Sequence, residues 1–221
     1  MIAEELINHL IPALKYSDKA QKAIVWMEEL RTNYLPVINN NEFQGLLSEE
    51  MIFETNDLDK DVAEFEYYGN KCFVYDHQHF FDVIKLSNDF GVELVAVLNE
   101  DNDYLGVITL SDTLSALAQT SAIQGQGAIL VLSLNQVDYS LAQISRLVEE
   151  NNAKILSSFI TTDLLDPTKI KLTLKINKED LSAIVATLER FNFKIIAKFE
   201  DPFVITNEKQ RIDILLKYLN I

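Results

Sequence analysis

Cysteine is nearly absent from this 221-residue chain, which carries only Cys72. A lone cysteine cannot form an internal disulfide, which fits a reducing, intracellular setting. The first Lys or Arg is Lys15, after Glu4 and Glu5, so we expect no signal peptide. Polar residues interrupt the uncharged stretch Thr113–Val137 and make it too polar to span a membrane. These absences predict a cytoplasmic protein that does not cross a membrane.

Catalytic motifs are also lacking. The chain has no Gly-x-Ser-x-Gly, no phosphate loop that ends in Gly-Lys-Ser or Gly-Lys-Thr, and no His-Glu-x-x-His. Gly125-Gln126-Gly127 is not followed by the third glycine of a dinucleotide site, so it indicates a linker. Cys72 has no evident activating base beside it. We expect a protein that is not an enzyme.

Basic residues are scarce in the first half of the chain. Residues 1–120 hold 22 Asp or Glu and 7 Lys or Arg, a net charge of −15, whereas residues 121–221 hold 12 of each. Because affinity for nucleic acid depends on Lys and Arg at phosphates, we expect no nucleic-acid binding by the first half.

A repeat with an offset of about 60 residues organises this acidic half. Leu35–Asn39 matches Val95–Asn99, and Gly45–Ser48 matches Gly106–Thr109. The leading strands (Ala13–Tyr16, Cys72–Tyr75) and the helices that follow (from Ser17-Asp18 and from His77-Gln78) complete the match. Each copy, about 1–58 and 59–120, is predicted as strand, helix, strand, turn, strand, helix. The two copies should pack together and enclose a cleft.

The Leu-Pro-Val-Ile-Asn and Gly-Val-Ile-Thr-Leu-Ser-Asp motifs of these copies resemble the CBS domain, which occurs as tandem pairs. The resemblance implies a cleft for an adenosine-containing ligand, whose ribose hydroxyls Thr109 and Asp112 would hold. Val74 and Tyr75, on the leading strand of the second copy, are further nucleotide-binding candidates. Without a ligand, Thr109 and Asp112 could simply cap the helix that follows them.

The first copy departs from this pattern. Ser48 keeps the hydroxyl of the motif, but Met51 stands where the second copy has Asp112. A thioether cannot accept two ribose hydrogen bonds as a carboxylate can, so the first site is predicted to be degenerate.

The shortage of basic residues in the second copy limits the charge of the ligand that we expect there. No Lys or Arg occurs from Leu86 to Ala118. The backbone N–H groups at the start of the helix could offset one phosphate charge but hardly three. We therefore expect AMP or the cationic S-adenosylmethionine to be preferred over ATP without Mg²⁺.

Metal binding is a weaker interpretation of two other stretches. His77 and His79 beside Asp76 could ligate a metal, although the repeat places them at a helix start. The acidic run Asp57–Glu66 could bind Mg²⁺ or Ca²⁺, but it lacks the glycine turn of an EF-hand loop and is typical of a solvated connector. No metal site is predicted.

A different repeat follows a linker at residues 121–127. Two strand–helix–strand halves, separated by the Asp166-Pro167 turn, predict a ferredoxin-like sandwich over residues 128–200. Asp138 should cap the first helix, and Asn177 with Asp180 the second. A last helix should carry its apolar stripe at Ile212, Leu215, Leu216 and Leu219.

This second half resembles an ACT domain, a regulatory module that often binds amino acids. Ser140-Leu141 stands where members of that family commonly have Pro-Gly before the helix, and the bulk of Leu141 argues against amino-acid binding. The expected fold class is α+β, a tandem CBS pair followed by an ACT-like domain and a C-terminal helix. The expected protein is a homodimeric, non-enzymatic regulator that binds an adenosine-type ligand. A scaffold with degenerate sites and a metal-responsive module remain as alternatives.

Overall fold

In the computed structural model, which describes residues 1–200, the chain divides into two units. The first unit is Met1–Leu117 and the second begins at Ala118. Within residues 1–200, no helix is long and apolar enough to cross a membrane.

The first unit contains the two predicted copies. Their strands and helices are β1 Leu14–Lys15, α1 Ala20–Leu30, β2 Tyr34–Asn39, β3 Glu42–Ser48, α2 Glu49–Thr55, then β4 Phe73–Tyr75, α3 Phe80–Phe90, β5 Leu94–Leu98, β6 Tyr104–Thr109 and α4 Leu110–Ala118. Each copy forms a three-stranded sheet in which the first strand runs parallel and the third antiparallel to the middle one. The predicted order of elements is therefore confirmed.

Helices α1 and α3 begin three residues later than the sequence predicts. Before α1, the Asp18 carboxylate accepts a hydrogen bond from the backbone N–H of Lys15 and closes a turn. Before α3, the His79 ring accepts a bond from the N–H of Phe81 and caps the helix. Polar side chains here bind the backbone locally, so the chain enters the helix only after them.

The copies are joined by an exchange of their leading segments. Asn8, which precedes β1, pairs with Val107 on β6, and Tyr68, which precedes β4, pairs with Leu46 on β3. Each leading segment thus extends the sheet of the other copy. Leu46 consequently lies in the same buried cluster as second-copy residues such as Cys72 and Val74. Neither copy buries its apolar residues alone, as the small size of each predicts.

The second unit is a four-stranded antiparallel sheet with two helices on one face. Its elements are α5 Ser121–Gln124, β7 Ala128–Asn135, α6 Leu141–Glu150, β8 Ile155–Thr162, β9 Lys169–Ile176, α7 Ser182–Arg190 and β10 Lys194–Phe199. The strand order β10-β7-β9-β8, antiparallel at every pairing, is that of the predicted ferredoxin-like sandwich. Alternate residues of β7 are buried against Ile144, Leu147 and Leu188 of the two helices.

Two predicted helix caps in this unit are corrected. Ser140, not Asp138, is the N-cap of α6, where its hydroxyl accepts from the N–H of Gln143. Asp138 lies in a 3₁₀ turn, and its carboxylate accepts from the Asn135 amide instead. At α7, Asp180 does accept from the N–H of Ser182, whereas the Asn177 side chain accepts from the N–H of Lys154.

The predicted linker 121–127 contains structure that its composition does not indicate. Ser121–Gln124 form the short helix α5, and Gly125 lies against the side chain of Leu156 on β8. Gly127 adopts φ +136°, and a Cβ there would collide with the carbonyl oxygen of Ile176. Close packing against neighbouring atoms accounts for a glycine at each of these two positions. The apolar stripe from Ile212 to Leu219 lies outside the described residues.

Candidate functional site

The corner between β6 and α4 holds Thr109 and Asp112 in a reciprocal arrangement. The Thr109 hydroxyl lies 2.6 Å from the Asp112 carboxylate, to which it donates. The backbone N–H of Asp112 donates to the Thr109 hydroxyl at 3.0 Å, and the N–H of Thr109 donates to the carboxylate at 3.0 Å. This is a capping box, so the capping role expected of the pair is present.

The same bonds correct one expectation about this corner. Three of its N–H groups are not free, because those of Thr109 and Asp112 donate within the box and that of Leu110 donates to the carbonyl of Glu93. The start of α4 therefore offers less to an anion than the bare sequence suggests.

Asn8 of the first copy reaches the same carboxylate. Its side-chain amide lies 3.2 Å from Oδ2 and 3.4 Å from Oδ1 of Asp112. The Asn8 carbonyl oxygen accepts from the N–H of Leu10, which sets the orientation of the amide. Within residues 1–200, Oδ1 of Asp112 has this one long contact, so it keeps capacity to accept a further hydrogen bond.

A cavity of about 460 Å³ opens beside this corner. Both copies contribute to its lining: Asn8, Leu10, Ile11, Leu30, Arg31 and Thr32 from the first, and Glu93, Thr109, Leu110, Ser111 and Asp112 from the second. Its size is within the range of small-molecule sites, and it combines apolar walls with a few polar groups. The cavity thus has the dimensions and chemistry to take a ligand between the two copies.

Sequence reasoning missed the first-copy residues of this cavity, most importantly Asn8 and Arg31. The only signal for them in the sequence is the repeat itself. When two copies exchange their leading segments, each copy contributes residues to the cleft of the other. No local motif marks either residue. Arg31 lies at the end of α1, in the left-handed region with φ 54°.

Two predicted nucleotide-binding residues do not line this cavity. Val74 is fully buried in the core of the first unit. The Tyr75 ring stacks on His77, and its hydroxyl lies 3.1 Å from the side-chain oxygen of Asn102. The structure therefore brings together Thr109 and Asp112 but neither of these two.

A second cavity, of about 350 Å³, occupies the equivalent position in the first copy. It is lined by Ser48 and Met51, and by Tyr68 and Phe90 where the other cavity has Asn8 and Leu30. The Tyr68 hydroxyl donates to the carbonyl of Phe90, and the two rings meet edge to face. Met51 and Tyr68 thus take the positions of Asp112 and Asn8, while Glu50 and Glu54 place two carboxylates elsewhere in the lining.

The metal candidates have local roles. Nδ1 of His77 lies 3.1 Å from the Asp76 carboxylate, and His79 caps α3. Among residues 1–200, no group of three or more His, Cys, Asp or Glu side chains is arranged to hold a metal ion. In the acidic run, Asp61 pairs with Lys19, and its N–H donates to the Glu64 carboxylate at the start of a 3₁₀ turn.

Cys72 is fully buried, and burial raises the pKa of its thiol to about 12. A thiol with such a pKa stays protonated at neutral pH, when it is a poor nucleophile.

The comparisons with known proteins agree with this architecture. Residues 70–119, most of the second copy, match the family model of the CBS domain. A CBS domain pair/ACT domain protein from Thermotoga maritima has a similar structure, with a TM-score of 0.50 and 21% identity over 54% of this chain and 98% of that one. The first 120 residues therefore have the fold of a tandem CBS pair, as the sequence motifs predict.

Other solved structures are similar at lower scores. A CBS domain protein from Pyrobaculum aerophilum complexed with AMP gives a TM-score of 0.45 at 17% identity, over 56% of this chain and 95% of that one. The cytosolic domain of the Mg²⁺ channel MgtE in complex with ATP gives 0.44 at 19%, over 52% of this chain and 48% of that one. No curated protein matches the chain in sequence.

Proposed function

We propose that this protein is a non-enzymatic regulatory module that binds an adenosine-type ligand in the cavity beside Thr109 and Asp112. The observation that carries the proposal is the Asp112 carboxylate, which lies at the edge of a cavity lined by both copies and keeps acceptor capacity on Oδ1. A ligand there would contact both copies at once, so its binding free energy would favour one arrangement of the pair.

The chemistry of the corner suits a ribose. Two vicinal hydroxyls can donate to one carboxylate, and an ionised acceptor gives stronger hydrogen bonds than a neutral one. Leu10, Ile11 and Leu30 supply apolar surface in the same cavity, against which a planar base can pack. The first-copy cavity has Met51 at the position equivalent to Asp112, and its carboxylates, Glu50 and Glu54, lie at other positions. We therefore propose the ligand only in the second copy.

Titration calorimetry with AMP, S-adenosylmethionine and ATP tests the proposal. Asp112→Ala should weaken binding by roughly 1.5–3 kcal/mol, the scale for hydrogen bonds to a charged group. Ser48→Ala is the matched control, because Ser48 also caps a helix through the N–H of Met51 but lines the first-copy cavity, where Met51 takes the position of Asp112. It should lower stability without changing affinity. Absence of binding by all three ligands, or tight ATP binding unaffected by Asp112→Ala, would contradict the proposal.

A ligand-free interaction scaffold is the second candidate, supported by Met51 at the position of Asp112 and by the aromatic side chains that line the first-copy cavity. A thermal-shift screen separates the two functions, because a ligand that binds only the folded state raises the melting temperature. A rise with divalent cations alone would instead support the metal-responsive alternative.

We further propose that the protein is a cytoplasmic homodimer. Exposed sheet edges and apolar surface favour association, and two-fold dimers are the commonest assembly. Exposed apolar side chains include Phe159 and Phe199 on the outer strands of the second unit. Light scattering should give the mass of two chains, and a concentration-independent mass of one chain would rule the dimer out.

A further inference from the structure

Arg31 has an unusual backbone conformation for its residue type. Within residues 1–200, seven residues other than glycine have positive φ, and six of them are asparagine. Asparagine tolerates the left-handed region, whereas arginine has no such preference and its Cβ is crowded there. At the matching position of the second copy, the end of α3, the residue is Gly91 with φ 65°. A glycine would therefore suit the end of α1 better than the arginine that is present.

The position of Arg31 in the cavity gives a reason for an arginine here. It is the only Lys or Arg among the residues that line the cavity beside Asp112. Within the described part of the chain, its guanidinium has no carboxylate within ion-pairing distance, and the side chain is exposed. The guanidinium of Arg31 is planar and carries several N–H donors, so it can bind a phosphate through two hydrogen bonds at once.

No other group in the lining of the cavity supplies a positive charge. The N–H groups of Thr109, Leu110 and Asp112 already donate within the protein. Glu93 and Asp112 both add negative charge to the lining. A phosphate in this cavity would therefore depend on one cation, which matches a single phosphate group better than a triphosphate.

We propose that Arg31 binds the phosphate of the ligand and makes this site selective for a nucleoside monophosphate over the uncharged nucleoside and the cationic S-adenosylmethionine. The inference rests on the adenosine-type ligand proposed above and assigns the residue that determines its specificity. The sequence alone predicts no base for phosphate from Leu86 to Ala118, and the cation comes instead from the other copy.

The test compares AMP with adenosine in calorimetric titrations of the full chain. Arg31→Gly introduces the residue that the second copy has at this position, and it fits the left-handed backbone, so the variant should fold. It should lower the affinity for AMP by about tenfold or more and leave that for adenosine within about twofold, on the scale of a charge-assisted bond. Arg31→Lys should keep part of the preference. Added NaCl should weaken AMP binding more than adenosine binding in the unchanged chain.

The outcomes separate this inference from the proposed function. If neither AMP nor adenosine binds, the adenosine-type ligand itself is wrong. If both bind, both weaken in Asp112→Ala, and Arg31→Gly changes neither, the site is right and the role of Arg31 is wrong. Loss of AMP affinity in Arg31→Gly with adenosine unchanged supports the proposal. The unfolding midpoint by Trp26 fluorescence checks that the variant keeps its fold, since Trp26 packs on the first-unit core.

Discussion

At the scale of single residues, Tyr104 holds a polar atom, its hydroxyl, that lacks a hydrogen-bond partner in the described part of the chain. Its ring stacks on Phe43, the corresponding residue of the first copy, at 6.4 Å between centroids. The Tyr104 hydroxyl is buried and has no hydrogen-bond partner among residues 1–200, and burial raises its pKa. A buried hydroxyl without a partner costs stability relative to an apolar group of the same shape.

Tyr104→Phe is therefore expected to leave the free energy of unfolding unchanged or to raise it by up to about 1 kcal/mol. Tyr67→Phe is the control, because the Tyr67 hydroxyl donates to the carbonyl of Val62 at 2.7 Å. It should destabilise the unit by about 1 kcal/mol. Urea unfolding followed by Trp26 fluorescence measures both. A marked loss of stability in Tyr104→Phe would indicate that its hydroxyl has a partner after all.

Two acids of the first unit, the buried thiol of Cys72 and the half-buried hydroxyl of Tyr67, predict how its stability depends on pH. Burial raises the pKa of Cys72 to about 12 and that of Tyr67 to about 12. In the unfolded chain these groups ionise near their ordinary values, about 8.5 and 10. Because the folded state holds their protons more tightly, their contribution is complete at lower pH and is lost as pH rises from about 8.5 to 12.

The free energy of unfolding should accordingly fall over this alkaline interval. Cys72→Ala should make the fall shallower between pH 9 and 10, where the thiol of the unfolded chain ionises first. Urea unfolding at a series of pH values measures the slope. An unchanged slope in the variant would mean that the buried thiol does not contribute to it.

At the scale of elements, side-chain caps decide where helices begin. The sequence predicts Asp138 as the cap of α6, but Ser140 stands two residues later and caps it. The 3₁₀ turn Gln136–Asp138 directs Asp138 back to Asn135, which leaves Ser140 to accept the N–H of Gln143. Both are good capping residues, so the preceding turn decides between them.

Ser140→Ala should therefore destabilise the start of α6 by about 1 kcal/mol, the usual cost of removing an N-cap. Asp138→Ala should cost less, because it removes only an exposed bond to Asn135. Hydrogen exchange of the first α6 amides is the measurement, with increased exchange expected in Ser140→Ala. Equal effects of the two substitutions would show that Asp138 also caps α6.

At the scale of the whole molecule, the chain should behave as two folded units joined near residues 118–127. Limited proteolysis with a protease of low specificity should cut between Gln119 and Gly127 and leave fragments of about 120 and 95 residues. The loop at Leu164 and Leu165, which are 95% and 96% exposed, is the competing site. Early cleavage there, with residues 119–127 protected by α5, would show that the connection is part of the second unit.

The sequence by itself determined the repeat, the order of elements in each copy and the ferredoxin-like half. These follow from local periodicity and turn residues, which depend on near neighbours along the chain. It also determined the pair Thr109 and Asp112, since their hydrogen bonds span three residues.

Only tertiary structure decided that Asn8 and Arg31 belong to the same cavity and that Val74 lies in the core. The leading segments cross between copies through backbone pairing of residues that are distant in sequence, Asn8 with Val107 and Tyr68 with Leu46. Such pairing uses the same N–H and C=O groups at every position, so no residue type records it.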